Sequence, residues 1–427
     1  MKVRETKGIT LIMLVITLIM LLILAGVVFS SFGENDGIIK NANATVEKYN
    51  KKVNEEQGFL NSLEVQLKEF AKSNDSKKEI PIGGSLATET ITIKPDENSD
   101  LQIVIPAGFG PAVLQTGTTQ SLPGEDGSVK GIMANSEWKN ITAEDINKGI
   151  VLVDNTITYD GGNSSGTVPD FNEFVWIPIV DSQDFTRVAW KTAFGYDENG
   201  TWQAGTCTTP QQLANKATAN SWWEEENTTE YTDMIDSVEQ NKGFYVARYE
   251  ASKNSDETKA QSKRHQDVWN YISQTDAIKK SSSYNTTLNS HLMYGIEWDS
   301  VLNWLQGNAI ISSSNESETK IMGLDDLQGS SCSWGNYSNS IGDAKTWSGT
   351  RQKGGTSEYW KANNIYDLAG NVFEWTQEKW TTKGTSCAER GGNCNCKGDV
   401  FLVALRNVIT TSSKDSNTGF RICFFVK

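Results

Sequence analysis

The spacing of apolar residues divides the chain into three regimes. The first is unbroken: the 24 residues from Ile9 to Phe32 carry no charge, and they follow a leader, residues 1–8, that holds Lys2, Arg4 and Lys7. As a helix rising about 1.5 Å per residue the run reaches about 36 Å, enough to cross a hydrocarbon core of roughly 30 Å. The basic flank predicts a single pass with the leader cytoplasmic and the long C-terminal part translocated. A cleaved signal peptide is the alternative, but its apolar core is usually only about 7–15 residues.

The second regime, residues 33–70, has heptad spacing. Ile39, Val46, Val53, Leu60 and Leu67 form one series, and Ala42, Tyr49, Glu56, Leu63 and Phe70 the other. This predicts a helix with a narrow apolar seam, able to serve as a coiled-coil stalk or to pack on its own domain. Residues 71–100 read as a linker, rich in Lys, Ser, Asn and Gly, that ends in a first short strand.

The third regime, residues 101–427, has short apolar stretches separated by Asn-, Ser- and Gly-rich connections. Thr90–Lys94, Leu101–Ile105, Gly149–Val153, Phe174–Val180 and Gly243–Ala247 predict strands. Trp298, Val301, Leu302 and Leu305 share a helical face and predict a helix over Glu297–Gln306. The fold class expected is α+β: a long N-terminal transmembrane helix, then a loop-rich domain with a small twisted antiparallel sheet.

Composition narrows the function. The chain has 427 residues and a formal net charge of −14. Because the leader itself is basic, the remainder is more acidic still, which disfavours nucleic acid as a partner. The six cysteines, Cys207, Cys332, Cys387, Cys394, Cys396 and Cys423, are scattered, and a pairing such as Cys387–Cys423 is one possibility. The two histidines, His265 and His291, belong to no recognisable catalytic pair. Of 14 tryptophans, Trp176, Trp298, Trp304 and Trp375 sit in apolar periodic segments and read as core, although tryptophan can also stack on sugars.

Two resemblances add to this. Lys7-Gly8-Ile9-Thr10-Leu11-Ile12 resembles the processing site of type IV prepilins. It implies cleavage between Gly8 and Ile9 by a prepilin peptidase and a bacterial membrane protein with its C-terminal domain outside, anchored through Ile9–Phe32. Pilus or pseudopilus subunits would then be partners. Where that family carries Glu at the fifth mature residue, this chain has Met13.

Asn364-Ile-Tyr-Asp-Leu-Ala-Gly-Asn-Val-Phe-Glu-Trp-Thr376, then Arg390-Gly-Gly-Asn393, then Thr418-Gly-Phe-Arg421 form an ordered trio. Over residues 172–427 the trio resembles the formylglycine-generating-enzyme family, a variant of the C-type lectin fold. Asn371 and Glu374 offer oxygen ligands three residues apart, suited to calcium, and the resemblance implies a calcium site there. The alternative is an ion pair of Glu374 with Arg390 or Arg421. Trp375, Arg390, Gly391, Gly392 and Arg421 read as structural. Enzymes of the family bind copper through two cysteines five residues apart. Aligned here, Cys396 takes the first position and Phe401 the second, so neither copper nor catalysis is expected.

With that site lost, ligand binding is the expected function; the alternatives are a structural subunit of a pilus or pseudopilus and, second, a copper oxidase of the formylglycine-generating type. The stretch 393–417 lies between two framework motifs, a layout similar to the variable proteins of diversity-generating retroelements. It nominates Asn393, Asn395, Cys396, Lys397, Asp399, Phe401, Val403, Leu405 and Asn407 as contacts to an extracellular protein or glycan. The competing possibility is that Val400–Leu405 is a buried strand flanked by loops.

Overall fold

The computed structural model describes residues 83–114, 127–154, 171–190, 194–196, 202–204, 211–213, 223–313, 319–380 and 385–427. The chain divides into two compact units, Met1–Lys78 and Glu79–Lys427, and every described residue lies in the second. The leader, the apolar run Ile9–Phe32, the heptad segment 33–70, Gly8, Ile9 and Met13 all lie outside the described residues.

The fold class differs from the one expected. The described residues are mostly β-sheet with few helices, the longest being the 13-residue Thr229–Asn241. None of these helices is long and apolar enough to cross a membrane. The α+β description led by a long N-terminal helix is replaced by a β-rich one, and the expected single-pass membrane placement is withdrawn with it. The physical reason lies in the length of the apolar runs. Beyond residue 82 they last only five to seven residues before Gly, Pro or polar side chains interrupt them, which suits strands and not spans.

The large sheet has seven antiparallel strands. Their order is His291–Leu292, Ile422–Phe424, Gly243–Ala247, Glu173–Pro178, Val151–Asp154, Phe109–Leu114 and Val129–Ile132. Side chains on a strand alternate between faces, and here both faces are covered. Val175, Ile177, Phe244 and Val246 join one core cluster with Trp298, Val301 and Leu302 of the helix Gly295–Leu305. Phe174, Trp176, Tyr245 and Ala247 join the other with Trp375, Phe420 and Ala277. Burial on two faces explains why these strands read as continuous apolar runs.

The second sheet runs Trp223–Glu224, Phe373–Trp380, Ser386–Arg390 and Asn407–Thr410, with Thr418–Phe420 paired in parallel to Phe373–Trp380. A register irregularity between Trp375 and Lys379 bends the long strand. Ile91–Ile93, inside the expected strand Thr90–Lys94, pairs with Ile103–Ile105, inside the expected strand Leu101–Ile105. Side-chain caps start Thr229–Asn241 and Gln274–Ser282: the Thr228 hydroxyl accepts from Tyr231 N (3.1 Å) and Ser273 from Asp276 N (3.2 Å). Cys332, Cys387, Cys394, Cys396 and Cys423 are free thiols, so the suggested Cys387–Cys423 bridge is absent. Cys387 sits in the small sheet and Cys423 in the large one.

Candidate functional site

The framework trio folds into two buried ion networks beneath one set of loops. In the first, Asp367, Gly370 and Asn371 all take positive φ, curling the chain into a tight arch before the strand Phe373–Trp380. Only glycine fits at 370, because a Cβ there would meet Asn336 O at 2.2 Å. Past the arch, Glu374 receives Arg421 on both oxygens: Nη2 to Oε1 at 2.7 Å and Nε to Oε2 at 3.0 Å. Arg421 spends its remaining donors on Ala247 O and Tyr366 O, both at 2.9 Å. The Asn371 amide ties in Asn336 (3.0 Å) and Gln352 N (2.9 Å) through its oxygen and donates to Glu250.

Three buried carboxylates therefore share Arg421. Burial, then the Asp367 and Glu374 charges, push Glu250 well above the carboxylate range. Burial raises Asp367 to about 7, against the pull of the Gly355 amide and Arg421. Asp367 Oδ2 accepts from Gly355 N at 2.7 Å, while Oδ1 finds no partner among the described residues. The Asn371/Glu374 pair proposed for calcium does not fit that ion as arranged: a guanidinium already covers the carboxylate, and the amide oxygen accepts two N–H groups. The ion-pair alternative, with Arg421 and not Arg390, is what the geometry shows.

Arg390 belongs to the second network. Its Nη2 donates to Asp299 Oδ1 (3.0 Å) and to Ala404 O (3.1 Å). Asp299 also receives Val188 N and Trp190 Nε1, each at 2.9 Å, and Arg406. Arg406 reaches on to Glu378, which pairs with Arg187 as well. Burial would raise Glu378, but Arg406, Arg187 and Arg390 outweigh it and bring it down to about 2. Arg390 thereby fastens the helix Gly295–Leu305 and the turn at Ala404 to the small sheet. Beside it, a Cβ on Gly392 would meet Phe401 O at 2.1 Å. Trp375 is fully buried and donates to Ile272 O at 2.9 Å. The residues read as structural all lie in this framework.

The stretch nominated for binding divides in two. Asn395, Lys397 and Asp399 are exposed; Cys396, Phe401 and Asn407 are half-buried. Asn393, Val403 and Leu405 are buried, and Val403 O accepts Trp298 Nε1 at 3.1 Å. Residues 402–405 are core, as the competing possibility held, but they form turns and not a strand. Asn407 donates to Glu389 at 2.7 Å, beneath the loops. Phe401 meets Phe373 edge-on with ring centroids 5.9 Å apart.

Sequence reasoning missed a polar groove of about 380 Å³ lined by Asp267, Val268, Asn270, Arg351, Gln352 and Lys353. Asn270 and Arg351 both donate to Ser416 O, which joins the groove to the end of the 393–417 stretch. Asn417 accepts from Asn395 at 3.2 Å, and Asp399 accepts from Asn339 at 2.9 Å. Tyr271, next to Asn270, and Trp347, whose carbonyl accepts from Gln352 at 3.5 Å, are 67% and 62% exposed. Both have positive φ, 56° and 63°. One signal was available in the sequence: Thr346-Trp-Ser-Gly-Thr350 sets a tryptophan among small polar residues, without the apolar periodicity of a core position.

These features define a β-rich domain whose buried ion networks carry a polar loop face. No family model matches the chain, and no curated protein matches it. Solved structures show weak similarity. CarF matches at a TM-score of 0.28 and 16% identity, covering 43% of this chain and 87% of that one. PvdO from Pseudomonas aeruginosa matches at 0.35 and 12%, covering 60% and 95%. Variable protein 1 of Treponema denticola matches at 0.23 and 16%, covering 59% and 95%.

Proposed function

We propose that this chain is a ligand-binding protein without catalytic activity, and that the loops 267–271, 347–353, 395–399 and 414–417 form its binding face. One observation carries this: segments far apart in sequence meet on Ser416 O and Asn417 around a groove, with exposed side chains on the same loops and a buried ion framework in the core. Loops positioned by a rigid scaffold are a common place for recognition.

The chemistry of the thiols supports the non-catalytic side. Burial pushes the Cys396 thiol up to about 11, so it is not a thiolate at neutral pH. Phe401 supplies no ligand at the second position. His291 is fully buried, with Nε2 3.0 Å from Glu297. Exposed Asn395, Lys397 and Asp399 point to a surface whose specificity can change without touching the framework, as genetic diversification would require. A template repeat and a reverse transcriptase gene near the locus would establish that part; a locus without them would remove it.

The test of binding is an array of glycans and cell-surface proteins probed with the full chain and with an N395A/K397A/D399A variant. Binding by the wild type and its loss in a folded variant is the expected result. Equal binding by both would place recognition elsewhere.

A further inference from the structure

We infer that the groove between Asp267–Asn270 and Arg351–Lys353 binds an acidic saccharide. The inference rests on the binding-face proposal and adds a ligand class. Its volume, about 380 Å³, falls in the range of small-ligand clefts, roughly 300–1,000 Å³. Its lining does not resemble that of a lipid or drug-like site. Val268 is its one apolar residue, and the others present an Asp, an Asn, an Arg, a Gln and a Lys. Amide and charged side chains at that density match a ligand covered in hydroxyls, each able to donate and accept.

Charge selects within that class. The protein as a whole is strongly acidic, at −14, yet the groove sets Arg351 and Lys353 against Asp267 alone. Lys353 Nζ stands 4.0 Å from Asp267 with both side chains more than half exposed, so the ammonium is only loosely engaged. A positive groove on a negative protein concentrates anions locally. The Arg351 guanidinium, one nitrogen of which donates to Ser416 O, adds a second cationic donor suited to a carboxylate.

The aromatics supply the third element. Two exposed aromatic residues lie near the groove's walls in the chain: Tyr271 follows Asn270, and the Trp347 carbonyl accepts from Gln352. A bulky residue with positive φ is uncommon, and such strain gathers at ligand sites. Two of the nine described non-glycine residues with positive φ are Tyr271 and Trp347, the two most exposed aromatic side chains among the described residues. Aromatic faces of this kind stack on the apolar faces of sugar rings, and the polar lining takes the hydroxyls.

The test is calorimetric titration of the full-length protein with tetragalacturonic acid, tetraglucuronic acid and sialyllactose, each against its methyl ester. A glutamate oligopeptide of equal charge serves as the non-sugar control and a sulfated oligosaccharide as the alternative anion. The expected result is that at least one carboxylated sugar binds, that its ester binds roughly tenfold more weakly, and that the peptide does not bind. Single variants K353A, W347A and Y271A should each weaken binding by roughly tenfold, a loss of about 1.4 kcal/mol, with unchanged melting temperatures. Equal binding of acid and ester, equal binding of the peptide, tighter binding of the sulfated sugar, neutral aromatic variants, or no binding by any acid would each overturn the inference. If the array finds a protein ligand that N395A/K397A/D399A abolishes while no acidic sugar binds, the binding face stands and the saccharide falls. If nothing binds in either experiment, both fall.

Discussion

Arg421 meets Glu374 with two nitrogens on two oxygens, at 2.7 and 3.0 Å, and neither side chain is more than 1% exposed. The pair joins the strand Phe373–Trp380 to the junction between Thr418–Phe420 and Ile422–Phe424, so it links the small sheet to the large one. Removing one partner of such a pair strands the other charge in the core. The variant E374Q should therefore lose about 3–5 kcal/mol of stability, read from the midpoint of a urea transition at constant slope. A midpoint like that of the wild type would mean the pair holds nothing together.

Glu389 gives a pH dependence. It lies 2% exposed under the binding loops, accepting from Asn407 (2.7 Å) and Thr418 (3.0 Å). Burial raises it from 4.5 to about 7 despite those donors. The folded state thus holds a proton that the unfolded chain releases at lower pH. The contribution of Glu389 to stability is greatest below about pH 4.5, falls as pH rises through about 7, and is level above that. The total from this group is on the order of 3 kcal/mol. In E389Q the slope of unfolding free energy between about pH 5 and 7 should become shallower by about 1.4 kcal/mol per unit. An identical slope in the variant would remove Glu389 from the titration.

Gly392 tests the packing of the loop base. A methyl group there would lie 2.1 Å from Phe401 O and 2.7 Å from the Tyr337 ring, on a backbone with φ 76°. Strain and overlap together should cost G392A about 3 kcal/mol or more. A full-length variant with the wild-type melting temperature would show that the turn relaxes freely.

Calcium should leave the protein unchanged. Because Arg421 occupies Glu374, millimolar calcium and excess EDTA should give the same melting temperature, whereas an ion bound only by the folded state would raise it with concentration. A calcium-dependent rise abolished by N371A would restore the metal site.

The binding face predicts the opposite of the framework. N395A, K397A and D399A should each change stability by no more than about 0.5 kcal/mol, measured by the same urea transition. A large loss at any of them would show that the exposed loops hold the fold together.

How much of this was legible depended on whether a signal was local. Phe174–Val180 and Gly243–Ala247 showed themselves as strands because burial on both faces leaves no polar alternation to obscure them. The helix over Glu297–Gln306 showed in its spacing, and the structure places it at Gly295–Leu305. The framework trio was visible because Gly370 and Gly392 sit where a side chain cannot. The long helix expected from Ile9–Phe32 set a fold class that the β-rich domain does not share. Val400–Leu405 offered a buried strand as the alternative to a binding stretch, because apolarity marks burial and not backbone geometry; residues 402–405 are buried in turns. The groove was not legible: its walls come from segments distant in sequence, and polar residues without periodicity look like any loop.

One feature of the topology bears on biosynthesis. The strand Ile422–Phe424 follows Gly243–Ala247 by about 175 residues in the chain, yet it lies between Gly243–Ala247 and His291–Leu292 inside the large sheet. A nascent chain cannot complete that sheet until Ile422–Phe424 has emerged, and until then the edge of Gly243–Ala247 stays open to pairing with other chains. A product that stops short of Ile422–Phe424 would keep that edge open and become a substrate for chaperones and proteases.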